Sequence, residues 1–283
     1  MAPVSVGSTT APRRAVSAAA AYGVLAVVAV LFLVPFGWLF LASLNAEAGL
    51  TTEPPAEFTL RNFAEVLNPD NLRAFGNSFV LSGGAALLTL LVATPAAYPL
   101  SRYNLRFGRP VLYALLFSTG LPITAIMVPV YGMFVQLELV DSVPATTLFL
   151  TATGLPFAIW MMKNFMDGVP VSLEEAAWVD GASAWKALVR VVLPLMLPGV
   201  TVVFVFTFMT TWGNFFVPFV LLLAPEKQPA AVTIYQFFGQ QGEVAYGLLA
   251  AYSILYTAPV VALYALVQRT LGGAFAMQGA VKG

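Results

Sequence analysis

Six stretches of this 283-residue chain carry no Asp, Glu, Lys or Arg: 15–46, 74–101, 110–137, 142–162, 191–225 and 244–268. The shortest has 21 residues. About 20 helical residues, rising roughly 1.5 Å each, cross the hydrocarbon core of a bilayer. Every stretch is therefore long enough to span. Six buried helices in a soluble protein would need a far larger polar shell than a chain with 9% charged and 59% hydrophobic residues supplies. The chain reads as all-α and polytopic, with six transmembrane helices near 17–44, 76–101, 110–137, 144–166, 198–224 and 245–269. Arg13 and Arg14 precede the first stretch as in a signal peptide, but its apolar part is too long for an h-region and more spans follow. A retained first helix is expected.

Loop charge sets orientation, with Lys and Arg concentrated on the inner side. With the N-terminus inside, the inner segments hold Arg13, Arg14, Arg102, Arg106, Arg109, Lys163, Lys186, Arg190, Arg269 and Lys282. The outer ones hold Arg61, Arg73 and Lys227. This predicts an N-in/C-in protein. A cytoplasmic tail covers 1–16, a six-helix domain 17–269 and a second cytoplasmic tail 270–283. Pro35, Pro95, Pro99, Pro122, Pro129, Pro156, Pro218 and Pro259 fall inside the helices, where neighbouring helices can re-satisfy freed backbone groups. The long outer loop 45–75 contains Pro54 and Pro55, with a short surface helix expected over Asn62–Leu67.

Composition also excludes chemistry. The chain has no His and no Cys, so it lacks the commonest general base, a thiolate metal site and any disulfide framework. Lys plus Arg and Asp plus Glu both number 13, so no basic excess points to nucleic acid. None of the four lysines stands in a G-x-x-x-x-G-K-[ST] loop. An ionised residue at mid-membrane costs about 2.5–3.5 kcal/mol and marks a proton relay when present; the six stretches contain none. Proton coupling is thus disfavoured, while a passive channel or sodium coupling through carbonyls and hydroxyls stays open.

Against this apolar background, "PVSLEEAAWVDGASAWKALVRVVLPLMLP" (170–198) forms the largest inner loop. Ser172 followed by Glu175 fits a capping box. Glu174 complements the positive end of a helix dipole. Gly181 suits the left-handed residue that ends a helix. A second helix is expected from Ser183 to about Val192, with Pro194 and Pro198 marking entry to the fifth span. Ala176, Ala177 and Ala182 keep the turn slim, and Trp178 and Trp185 offer apolar anchors. Local pattern alone fits a docking element and a loop lying on headgroups equally well.

This segment resembles the EAA loop of ABC-transporter permeases, E-A-A-x-x-D-G-A followed by L-P-x-x-x-P, at Glu175, Ala176, Ala177, Asp180, Gly181, Ala182, Leu193, Pro194 and Pro198. "NSFVLS", "AAYPLSRYNLRFGR", "TWGNFFVPFVLL" and the ending "QGAVKG" are similar to the MalG-like subunits of the carbohydrate branch, so the resemblance covers about 76–283. Gly213 separates Trp212 from Asn214, which the family more often has adjacent.

The resemblance implies a permease subunit of a bacterial ATP-driven importer, in the inner or plasma membrane. It implies three kinds of partner: a second, non-identical (MalF-like) permease, a dimer of ATPase subunits and an external solute-binding protein at the outer loops. ATP and Mg²⁺ would sit on the ATPase, leaving this chain without a cofactor, a metal or an enzymatic activity. Glu174, Glu175, Ala176, Ala177, Asp180, Gly181 and Ala182 would couple to the ATPase, Glu175 by polar contact and Gly181 as the turn. Gly279, Val281, Lys282 and Gly283 of the tail would approach the ATPase interface. For cargo, a sugar needs hydrogen-bond partners and a flat apolar face. Thr207, Thr210, Thr211, Trp212, Asn214 and Phe215 are candidates, with Tyr131 and Gln136 weaker; the same residues could instead join helices. A solute such as glycerol phosphate, a sodium-coupled carrier and a gated channel are the alternatives.

Overall fold

The computed structural model describes residues 11–49, 55, 57–238 and 244–280, with side chains from residue 21 to residue 268 of these. Among the described residues the chain is helical, and its only β pairing is the single bridge between Phe238 and Val244. We number the helices α1 Ala11–Ser43, α2 Arg61–Val66, α3 Pro69–Arg102, α4 Gly108–Ser118, α5 Ile123–Gln136 and α6 Val143–Asp167. These are followed by α7 Val171–Val179, α8 Ala184–Leu195, α9 Leu197–Trp212, α10 Phe216–Leu221 and α11 Tyr246–Ala280. Among the described residues four helices are long and apolar enough to cross a membrane, or up to six if each of two bent pairs is one span.

The chain divides into two compact units, Met1–Val66 with Phe237–Ile254 and Leu67–Gln236 with Leu255–Gly283. In the first, α1 exposes Val, Leu and Phe side chains from Val24 to Phe40, as a helix in lipid does. The short helix α2 is tied down by the buried Asn62, whose Nδ2 donates to the carbonyls of Ser43 (3.0 Å) and Asn45 (2.8 Å).

In the second unit α3 packs along α6, and α9 packs against both. The contact is close because the facing residues are small. Ser78, Ser82, Ala85, Ala86, Ala93 and Ala97 of α3 are buried, as are Thr147, Thr151 and Ala158 of α6. Without a hydrophobic drive in lipid, close van der Waals approach is what holds such helices. At the start of α9, a Cβ on Gly199 would overlap the Phe165 ring of α6. Leu188, Val192 and Val203 complete a core with Tyr98, Met162 and Met166.

Three expectations need correction. Helix α3 begins at Pro69, two turns before residue 76, because Asn68 caps it by accepting from Asn71 N (2.9 Å) and Pro69 occupies the first turn. The expected helix 110–137 is two helices, α4 and α5, meeting at 90°. The Gly120–Leu121–Pro122 stretch breaks it: Pro122 offers no N–H and pushes Leu121 away from the helical region. The expected helix 198–224 is likewise α9 and α10, interrupted at Gly213–Phe215, and α8 meets α9 at 80°.

Candidate functional site

The polar segment folds as two short helices joined by a glycine turn. Gly181 adopts φ +84°. Ala182 N donates to Ala177 O (2.9 Å) and Gly181 N to Trp178 O (3.0 Å), which is a complete Schellman motif. Ser183 then caps α8 by accepting from Lys186 N (3.3 Å). The expected capping box does not form. Pro170, with φ −58°, starts α7 at Val171, so Ser172 already lies inside the helix and cannot take the extended backbone a cap needs.

One face of the pair is open. Glu175, Ala176, Asp180 and Gly181 are exposed, and Ala177 and Ala182 half-buried. Val179 is 89% exposed and Trp185 63%, with Trp178 beside them at 37%. Apolar side chains offered to water in a charged setting are the composition of an interface core. Glu174 does not share this face. It is fully buried, ion-paired to Arg102 and accepting from Tyr98 Oη (2.8 Å). Its expected contact with a partner is therefore replaced by an internal one. Arg102 also donates to Val169 O (3.2 Å) and to Ser101 Oγ (3.1 Å). Ser101 Oγ donates to Asp167 (2.6 Å), which pairs with Lys163 (2.5 Å). The ends of α3 and α6 and the start of α7 thus share one polar belt. Gly279 lies in the last turn of α11, while Val281, Lys282 and Gly283 fall outside the described residues.

Within the apolar part of the same unit, a groove of about 590 Å³ opens between the α4–α5 bend, α6 and α9. The cargo candidates Thr207, Thr210, Thr211 and Asn214 line it. So do Ser118, Thr119, Thr153, Phe157 and Phe206, which the sequence reading did not single out. The hydroxyls of Ser118, Thr119, Thr153 and Thr210 donate to backbone carbonyls of their own helices, leaving their lone pairs as acceptors for a ligand. Phe157 and Phe206 lie against each other at 4.8 Å and give the groove an aromatic wall.

The other cargo candidates do not line the groove. Trp212 is buried, donates from its indole to Tyr256 O (3.1 Å) and stacks on Phe208 and Tyr256. Phe215 stacks between Phe219 and Tyr235, and Tyr131 lies on α5 at 37% exposure. Asn214 has a second duty: its Oδ1 accepts from Val217 N (3.0 Å) and starts α10 after the break. A second recess of about 560 Å³, lined by Asp70, Arg73, Glu226, Gln228 and Tyr235 among others, lies toward the Asn68 end of α3, away from the polar belt.

Comparison with known proteins shows the family and the fold. Residues 85–272 match the family described as binding-protein-dependent transport system inner membrane component. The ABC transporter permease protein ORF1 of Streptomyces antibioticus is 34% identical over 81% of this chain and 99% of its own length. The diacetylchitobiose uptake system permease protein NgcG of Streptomyces coelicolor is 27% identical over 90% of this chain and 86% of its own. Among solved structures, a chain of a bacterial ABC transporter involved in import of the acidic polysaccharide alginate superposes with a TM-score of 0.76. It is 21% identical and covers 94% of this chain and 99% of its own.

Proposed function

Since the chain belongs to the family of binding-protein-dependent transport system inner membrane components, we propose that its cargo is a neutral sugar or oligosaccharide and that its exposed helix pair, α7–α8, takes the thrust of an ATPase. It is a permease subunit of an ABC importer: it forms part of a membrane pathway, and ATP hydrolysis belongs to a separate subunit. The observation that carries the coupling is the Schellman turn at Gly181 with an open face of small and apolar residues, mounted on a membrane bundle.

The cargo reading rests on the groove. It offers hydroxyl and amide groups beside the Phe157–Phe206 wall, and among the described residues no ionised side chain lines it. A saccharide uses hydroxyl-matched partners and a flat apolar face, whereas glycerol phosphate calls for a cation. The uptake system of the Streptomyces coelicolor relative, named for diacetylchitobiose, supports the same class. In the proposed arrangement α7–α8 lie on the cytoplasmic side. The recess beside Asp70 and Glu226 faces outward, toward a solute-binding protein, and a second, MalF-like permease closes the groove from the other side. A sodium-coupled carrier or a passive channel gives no reason for the open helix pair.

The test is co-expression with the ATPase, permease and binding-protein genes that accompany this one, followed by purification through a tag on this chain. An ATPase is expected in stoichiometric amount, and proteoliposomes are expected to accumulate labelled diacetylchitobiose only with ATP. Uptake at an undiminished rate without the ATPase overturns the coupling reading. ATP-driven transport that accepts no neutral sugar overturns the cargo reading.

A further inference from the structure

Among the nine residues of α7, Glu174 is the only one buried. The two helices of the docking pair are therefore fastened by different physics. Helix α8 enters the apolar core through Leu188 and Val192, among Tyr98, Met162 and Met166. Such packing is non-directional. Helix α7 packs on α8 and is tied to the last turn of α3 at one charged point. Both carboxylate oxygens of Glu174 are used, one by Arg102 and one by Tyr98. All three guanidinium nitrogens of Arg102 are used as well, by Glu174, Ser101 and Val169. The Arg102 and Glu174 side chains are 2% and 0% exposed.

A buried ion pair is weak evidence for stability, because desolvation offsets much of the attraction; its documented use is to fix one geometry. Here that geometry is the angle between α7 and α3. Moving α7 away from α3 would strand a buried charge. We propose that the Arg102–Glu174–Tyr98 cluster is the link that passes displacement of α7 to α3, making α3 a lever of the transport cycle and Arg102 and Glu174 its positioning residues. Helix α3 is suited to that task. It packs along α6 and against α9, which carry two walls of the groove, and Thr89 of α3 stands beside Gly154, a groove residue. A shift of α3 is thus felt where α6 and α9 separate. The inference rests on the permease reading given above.

The experiment uses the assembled transporter. The chain has no cysteine, so Leu91→Cys on α3 and Val128→Cys on α5 give two defined spin-label sites once partner cysteines are removed. Both positions are well exposed, at 69% and 77%. ATP trapped with vanadate is expected to change the distance between the labels. In the variant Tyr98→Phe/Arg102→Met/Glu174→Met, apolar side chains replace the cluster, so the fold and the bound ATPase are expected to persist while the ATP-driven change is lost. A merely structural role predicts the opposite, since packing is kept and motion should follow. The same distance change in this variant, or no change in the parent, overturns the link. A parent that retains no ATPase overturns the permease reading and the link together.

Discussion

Gly181 shows how one residue sets the proposed docking element. Its φ of +84° is a conformation that side chains with a Cβ rarely adopt, yet nothing lies within 4 Å of where a Cβ would be. The constraint is in the backbone and not in the surroundings. Gly181→Val should therefore strain the turn by about 1–3 kcal/mol, while Gly181→Asn, better tolerated at positive φ, should keep it. The expected readout is the yield of ATPase recovered with the permease, reduced several-fold in the Val variant and near the parent level in the Asn variant. Equal yields would remove the turn from the coupling role. Gly181 was legible in the sequence because its cause is local: small residues before it, Ser183 after it and a helix on each side. Glu174 was not. Its partners, Tyr98 and Arg102, stand 76 and 72 positions upstream, so the same "EE" pair that looks symmetric in sequence splits into one buried and one exposed carboxylate. The roles of Trp212 and Asn214 stayed open in the sequence for a related reason. Residue type suits both a ligand and a neighbouring helix, and only packing tells that Trp212 serves Tyr256 while Asn214 serves both the groove and the start of α10.

At the scale of elements, proline alone did not decide where helices break. Pro95 and Pro99 in α3, Pro156 in α6 and Pro259 in α11 all sit inside continuous helices. The chain bends sharply where proline has help. Gly120 precedes Pro122, and Pro194 and Pro198 flank the turn at Met196 between α8 and α9. Both bends bear on the proposed function. One makes a wall of the groove, and the other hands the docking pair over to α9. That handover depends on close approach. Gly199, in the first turn of α9, lies against Phe165 of α6, where no Cβ fits. Gly199→Leu should push α9 off α6 and cost about 1–3 kcal/mol as an overpacked contact. The expected outcome is a lower thermal-aggregation midpoint in detergent, with partial recovery when Phe165→Ala opens the space. An unchanged midpoint for the single variant would mean that α9 and α6 are not held by this contact.

For the whole molecule, charge is sorted to two ends of the second unit. Arg102, Lys163, Asp167 and Glu174 gather at one end of α3 and α6, with α7–α8 beside them. Asp70, Arg73 and Glu226 gather near the other end of α3. The excess of Lys and Arg in the segments at the first end gives the expectation that it faces the cytoplasm. Cysteine accessibility tests this. Leu72→Cys should react with a membrane-impermeant thiol reagent in intact cells, and Val179→Cys only in inverted vesicles prepared without the ATPase. The reverse pattern would invert the protein and place the docking pair on the wrong side. The sequence by itself determined the class of the molecule: uncharged runs long enough to span, a sign rule for the loops, and a turn whose chemistry is confined to neighbouring residues. Those are properties of short windows, and short windows are what helix length, hydropathy and capping obey. The tertiary structure decided what depends on residues far apart in the chain. It chose which carboxylate α3 would hold, which of the polar residues after Thr207 would face a groove, and how the 110–137 run would bend to give that groove a wall. Burial and partnership arise only when distant helices meet, and no window along the chain contains that meeting.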